Sequence, residues 1–127
     1  MNYGFSKKTE LGFNEAIEKT REALKNEGFG VLTEINVKET LKKKLGIEHE
    51  EYIILGACNP PFAYEALKAE KEIGLLLPCN VIVYKENGKT IVSAINPKEA
   101  MSMIQNTKLK EIADQVSEKL KRVINNL

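Results

Sequence analysis

Residues 80–95, NVIVYKENGKTIVSAI, decide how this chain folds. Two runs rich in β-branched residues flank Asn87-Gly88, a pair that favours a two-residue type I′ turn because both of its positions tolerate positive φ. Such a turn fixes the register and places Glu86 opposite Lys89 and Val83 opposite Val92. The stretch therefore predicts a β-hairpin.

Both faces of this hairpin carry large apolar side chains. A hairpin that packs on helices needs only one such face, so the second must be covered by another part of the chain or by a second copy of it. We therefore expect a homodimer with an isologous two-fold contact. One face holds Ile82, Tyr84, Ile91 and Ile95, and the other holds Val81, Val83, Val92 and Ala94.

Helices and strands alternate around the hairpin. Apolar residues recur every three or four positions in residues 13–27 and again in residues 107–127, which predicts two amphipathic helices. Asn36 and Glu39 form a capping-box pattern that begins a shorter helix. Further helices are predicted from Pro60 to about Glu72 and from Asn96, and further strands at residues 2–6, 30–35 and 52–57.

The predicted order is β-α-β-α-β-α-β-β-α-α. Because the antiparallel hairpin follows strands joined by helical crossovers, we expect a mixed β-sheet. We expect an α+β fold in two layers, with helices mainly on one face of the sheet, and a single domain over residues 1–127.

Composition excludes several classes of function. The chain has 127 residues, 43% of them hydrophobic, and a net charge of +1 from 19 basic and 18 acidic side chains. This balance argues against partners such as nucleic acid or an anionic membrane. No secretory signal is visible, and no run approaches the ~20 apolar residues that cross a bilayer. We expect a cytoplasmic protein whose cysteines are free thiols or ligands.

Each of the two cysteines stands in a Cys-Asn step beside proline, at a predicted corner of the fold. Cys58 ends a buried strand and comes two residues before a helix, whose N-terminal dipole favours a thiolate. Such a thiol can bind a metal or react. The alternative is a small buried hydrophobic side chain at a tight corner.

A shared site depends on the path from Cys58 to Cys79. If the helix of residues 60–72 runs back along the sheet and residues 73–78 return in an extended, buried path, the two thiols meet. The leucines at 75–77 favour that path. The predicted ligand-binding residues are then Cys58, Asn59, Pro60, Pro78, Cys79 and Asn80.

The two thiols suggest a transition metal as cofactor, with Cys58 and Cys79 as its ligands. Zinc sites need more ligands, and the paired Cys-x-x-Cys spacing is absent. His49 lies in a charged stretch typical of an exposed loop. Met101 and Met103 are soft candidates for copper, but their spacing places them on different sides of a helix, which favours core packing.

Three functions fit these residues. The first is a non-enzymatic dimeric module that binds a small ligand or a metal near Cys58 and Cys79. The second is a thiol-dependent enzyme or redox sensor that uses Cys58. The third is a partner-binding protein whose cysteines only pack.

Several segments taken together resemble the domain-of-unknown-function family 302, over about residues 5–125. The resemblance implies a small α+β domain, often a homodimer, with no established activity and no catalytic residues to transfer. The six predicted ligand-binding residues match the family's motif positions, whereas Asn96-Pro97 stands where the family often has Asp-Pro. The segments are residues 13–17, 28–32, 54–60, 63–67, 74–81 and 95–97.

Overall fold

A five-stranded sheet forms one layer of the molecule. The computed structural model describes residues 2–127. The sheet order is β1-β5-β4-β3-β2, and every pairing within the described part of the chain is antiparallel. The strands are β1 (Gly4–Thr9), β2 (Gly30–Asn36), β3 (Tyr52–Cys58), β4 (Cys79–Glu86) and β5 (Lys89–Ile95).

The expected mixed sheet is wrong, and the connections explain why. The first helical crossover does join two strands that run in the same direction, but β1 and β2 lie at opposite edges of the sheet and do not pair. The later connections reverse the chain and return it to the neighbouring position. Strands that follow one another from β2 to β5 are therefore adjacent and antiparallel.

Helices form the second layer, and the predicted α+β class and order of elements are confirmed. An additional short 3-10 helix covers Lys71–Leu76, after the third helix. None of the helices within residues 2–127 is long and apolar enough to cross a membrane. The helices are α1 (Phe13–Asn26), α2 (Val37–Leu45), α3 (Pro60–Ala69), α4 (Pro97–Ala100) and α5 (Thr107–Asn125).

The core lies between the sheet and the two long helices, α1 and α5. Their apolar stripes pack against one face of the sheet, which we call the inner face. Leu55, Val81, Val83 and Val92 on this face have no measurable exposure. The opposite, outer face holds the alternate residues of the same strands. There Ile54, Ile82, Tyr84 and Ile95 are only half-buried.

Local signals in the sequence fix several corners. Asn87 and Gly88 adopt φ values of 51° and 78°, and the hairpin has the predicted register, with Glu86 opposite Lys89. The Asn36 side chain accepts a hydrogen bond from the Glu39 N–H at 3.0 Å, as a helix cap should.

Candidate ligand-binding cavity at the end of the sheet

A cavity of about 350 Å³ opens where β3 ends and β4 begins. Side chains from α3, α5 and the segment before β4 enclose it. This volume falls within the usual range for small-molecule sites, which are mostly apolar with a few polar groups. Prominent apolar side chains of the lining are Phe29, Phe62, Leu77, Met101, Ile112 and Val116.

The two cysteines reach this cavity by a path that differs from the predicted one. Residues 71–76 form a 3-10 helix in which Leu75 is 82% exposed, so the expected extended, buried path is wrong. Instead, α3 packs against α5 and the 3-10 helix, and the chain returns to the end of the sheet that it left. Cys79 then pairs with Ala57, the residue before Cys58, and both cysteines line the cavity.

The two thiols are in different environments. Both are free, but Cys58 is half-buried and Cys79 is 8% exposed. Burial, and to a lesser degree charge repulsion from nearby Cys58, raises the pKa of the Cys79 thiol to about 11. Removing the thiol from water disfavours its charged form. Cys79 therefore stays protonated at neutral pH and does not act as a nucleophile there.

Asn59 connects two elements at the edge of the cavity. It occupies the cap position of α3, but its side chain makes no cap hydrogen bond. Its Nδ2 instead donates to the main-chain oxygen of Glu27 at 3.1 Å, just past the end of α1. Gly28 follows with a φ of +87°, and a Cβ there would lie 3.1 Å from Nδ2. Asn59 thus joins the end of α1 to the start of α3.

The structure brings together four of the six residues predicted to bind a ligand. Cys58, Asn59, Pro78 and Cys79 line the cavity. Pro60 and Asn80 are exposed and lie outside its lining. The lining residues of α5 were missed as site residues because their stripe is indistinguishable in sequence from an ordinary core-facing stripe.

The additional metal ligands considered from the sequence lie in different places. His49 is exposed and precedes β3, at the end of that strand opposite Cys58. Met101 lines the cavity, whereas Met103 is 75% exposed. Within residues 2–127, no group of three His, Cys, Asp or Glu side chains is placed to hold a metal ion. Metal binding by Cys58 and Cys79 stays a prediction.

Comparisons with known proteins agree on the family. The sequence-family model described as "Domain of unknown function DUF302" matches residues 5–127. A crystal structure of an uncharacterized conserved DUF302 protein from Bacillus stearothermophilus is 35% identical, with a TM-score of 0.92, over 99% of this chain and 98% of that one. No curated protein matches the chain. With nearly its whole length matched by the family model and its fold shared with a solved member, this chain belongs to the DUF302 family.

Proposed function

We propose that this protein is a dimeric binding module that takes a small apolar ligand in the cavity beside Cys58 and Cys79. The observation that carries the proposal is the cavity itself. It has the volume of a small-molecule site and an almost wholly apolar lining. An apolar ligand would gain free energy by leaving water for such a surface.

Three observations support a small organic ligand over thiol chemistry. Cys79 is protonated at neutral pH because it is buried. The side chains of Phe62 and Met101 face the same space and offer only apolar contact. General acid–base chemistry needs a titratable group poised near neutral pH, and His49 lies outside the lining.

A titration with naphthalene, followed by its fluorescence, tests ligand binding. We expect the unmodified protein to bind, because a rigid apolar molecule of this size fits within 350 Å³. Ala63 is half-buried and lines the cavity from α3, so the ring of Ala63→Phe should occupy part of the cavity and weaken binding at least about tenfold. Ala23→Phe, at a half-buried position on α1 outside the lining, is the matched control. Absence of binding, or equal binding by all three proteins, would refute the proposal.

Dimerisation is proposed through the outer face of the sheet. Ile82 and Ile95 keep partial exposure there, and Tyr52 stacks on Tyr84 with ring centroids 5.3 Å apart. A second copy that covers these side chains would gain about 2.5 kcal/mol for each ~100 Å² of apolar surface removed from water, before the entropy of association is subtracted.

Light scattering at micromolar concentration tests the dimer. We expect twice the mass of the chain for the unmodified protein and a monomer for Ile82→Lys, because a charge in the contact would be desolvated without a partner. Leu75→Lys, at an 82% exposed position on the 3-10 helix, should leave the mass unchanged. A monomeric unmodified protein would refute dimerisation without affecting the ligand proposal.

A further inference from the structure

We infer that the cavity selects a neutral, largely apolar molecule that carries one hydrogen-bond donor, a hydroxyl or N–H, and that Asn59 Oδ1 accepts this bond. The inference rests on the proposed ligand-binding function and names the chemical class of its ligand. It makes Asn59 the residue that determines specificity.

The orientation of the Asn59 amide follows from its one fixed hydrogen bond. A main-chain carbonyl can only accept, so the atom that faces the Glu27 oxygen at 3.1 Å must be the amide nitrogen. Oδ1 is therefore on the other side of the amide. It receives no hydrogen bond from the described residues, although Asn59 is only 8% exposed. Among the described residues, the side-chain oxygen that is completely enclosed and lacks a partner is Thr90 Oγ1. Asn59 Oδ1 is therefore not completely enclosed.

We therefore infer that Oδ1 faces the cavity that Asn59 lines. An acceptor that is largely removed from water costs free energy until a donor reaches it. A ligand with a donor at this position regains that bond, whereas a ligand without one leaves Oδ1 unsatisfied. The amide cannot rotate to offer its nitrogen to the ligand without losing the bond to Glu27.

The start of α3 is poor in donors, which argues against an anionic ligand. Helix N-termini usually bind anions through free N–H groups. Here Pro60 and Pro61 have no N–H, and the Ala63 N–H is bonded to the Asn59 carbonyl at 2.9 Å. Of residues 60–63, Phe62 alone has a main-chain N–H that is left without an acceptor.

The charged groups near the cavity also disfavour an ionic ligand. Among the described residues, no Lys, Arg, His, Asp or Glu side chain belongs to the lining. Lys119 lies 5.9 Å from the Phe62 ring, but its ammonium also pairs with Glu27 at 3.8 Å, as does Arg122 at 3.0 Å. An ionised ligand would lose its hydration without a paired charge in return.

Binding of three probes to the unmodified protein tests the inference. The probes are 1-naphthol, 1-methoxynaphthalene and 1-naphthoate, which share one ring system and present a donor, an acceptor without a donor, and an anion. We expect 1-naphthol to bind about 3- to 10-fold more tightly than the methyl ether, the effect of one neutral hydrogen bond, and 1-naphthoate to bind most weakly.

The Asn59→Leu variant identifies the residue responsible. Leucine keeps the approximate volume but has no acceptor, so the affinities for 1-naphthol and its methyl ether should become equal. Asn36→Ala removes a helix cap far from the lining and is the control for a general loss of stability; it should keep the preference. The preference within the unmodified protein stays a valid test even if Asn59→Leu does not fold.

Each other outcome has a defined meaning. Equal binding of 1-naphthol and its methyl ether by the unmodified protein, or tighter binding of 1-naphthoate, would overturn the inference and leave the proposed ligand site standing. A preference that survives in folded Asn59→Leu would overturn the role of Asn59. Failure of naphthalene and all three probes to bind would overturn the proposed function and this inference together.

Discussion

The two faces of the sheet use similar residues in different ways. On β4, Val83 has no exposure while its neighbour Ile82 is half-buried, although the two are alike in hydrophobicity. Successive side chains of a strand point to opposite faces, so α1 and α5 decide which set is enclosed. The comparison shows that apolar content alone does not define a core; the layer packed against it does.

Leu55→Ala should produce the largest difference between the faces. Leu55 is fully buried on the inner face, so its truncation should leave a cavity and lower the free energy of unfolding by about 2–5 kcal/mol. Ile54→Ala, one residue away on the outer face, should cost less, below about 2 kcal/mol, because solvent or neighbouring side chains can occupy the space. Urea unfolding of both variants would measure this. Equal losses would contradict the distinction between the faces.

Alkaline pH should weaken the inner face through Cys79, which lies opposite Ala57. Its pKa is raised from an ordinary value of 9.0 to about 11 in the folded protein. The unfolded chain therefore loses this proton first, so the contribution of Cys79 to stability is fully present below pH 9 and is lost as the pH rises through about 11. The loss should reach about 2–3 kcal/mol above that range.

Unfolding by urea at several pH values, in the unmodified protein and in Cys79→Val, would isolate this contribution. All other titratable groups are the same in both proteins, so the difference between the two pH profiles belongs to Cys79. Parallel profiles from pH 8 to 12 would show that the buried thiol does not affect stability.

Gly56→Ala probes a close approach on the outer face. A Cβ at Gly56 would lie 2.1 Å from Thr33 Oγ1 and 2.8 Å from Pro78 Cγ. The strand or its neighbours must shift, so we expect a loss of about 1–3 kcal/mol. Adding Thr33→Ala removes the first clash but keeps the proline, and should restore part of the loss. Differential scanning calorimetry of the single and double variants would test this, and full restoration would show that Pro78 is free to move.

The stacked tyrosines on the outer face should give the smallest effect. Tyr52 and Tyr84 stack at 5.3 Å, and such pairs contribute about 0.5–1.5 kcal/mol beyond their burial. A double-mutant cycle with Tyr52→Leu and Tyr84→Leu should yield a coupling energy in that range. The measurement belongs at one fixed protein concentration, since a dimer contact on the same face would add to it. A coupling energy of zero would remove the stack as a feature of this face.

The elements that the sequence predicted well are those fixed by nearby residues. Asn87-Gly88 determines its own turn, and the stripes of α1 and α5 repeat over many positions. The Asn36 cap needs only the N–H of Glu39. In each case the stabilising contact joins residues within a few positions along the chain, so the sequence alone is enough to predict the element.

The features that could not be predicted from the sequence depend on contacts between residues that are far apart along the chain. The 3-10 helix at Lys71–Leu76 and the packing of α3 on α5 decide where Cys79 returns, and nothing local in the leucine-rich segment reveals either. Asn59 has the sequence context of a cap, yet it bonds to Glu27, 32 residues earlier. The two cysteines were recognisable as candidate site residues, but the apolar lining around them became distinguishable from core only in three dimensions.

The position of β1 has a consequence for the order in which the chain can assemble. β1 is the earliest of the five strands in the sequence, yet its partner is β5, with Phe5 opposite Ala94 and Thr9 opposite Thr90. During synthesis the N-terminal strand has no partner until the last strand has left the ribosome. Strands β2 to β5 can meanwhile pair in sequence, each with the one before it, so β1 completes its native pairing last although it precedes them in the chain.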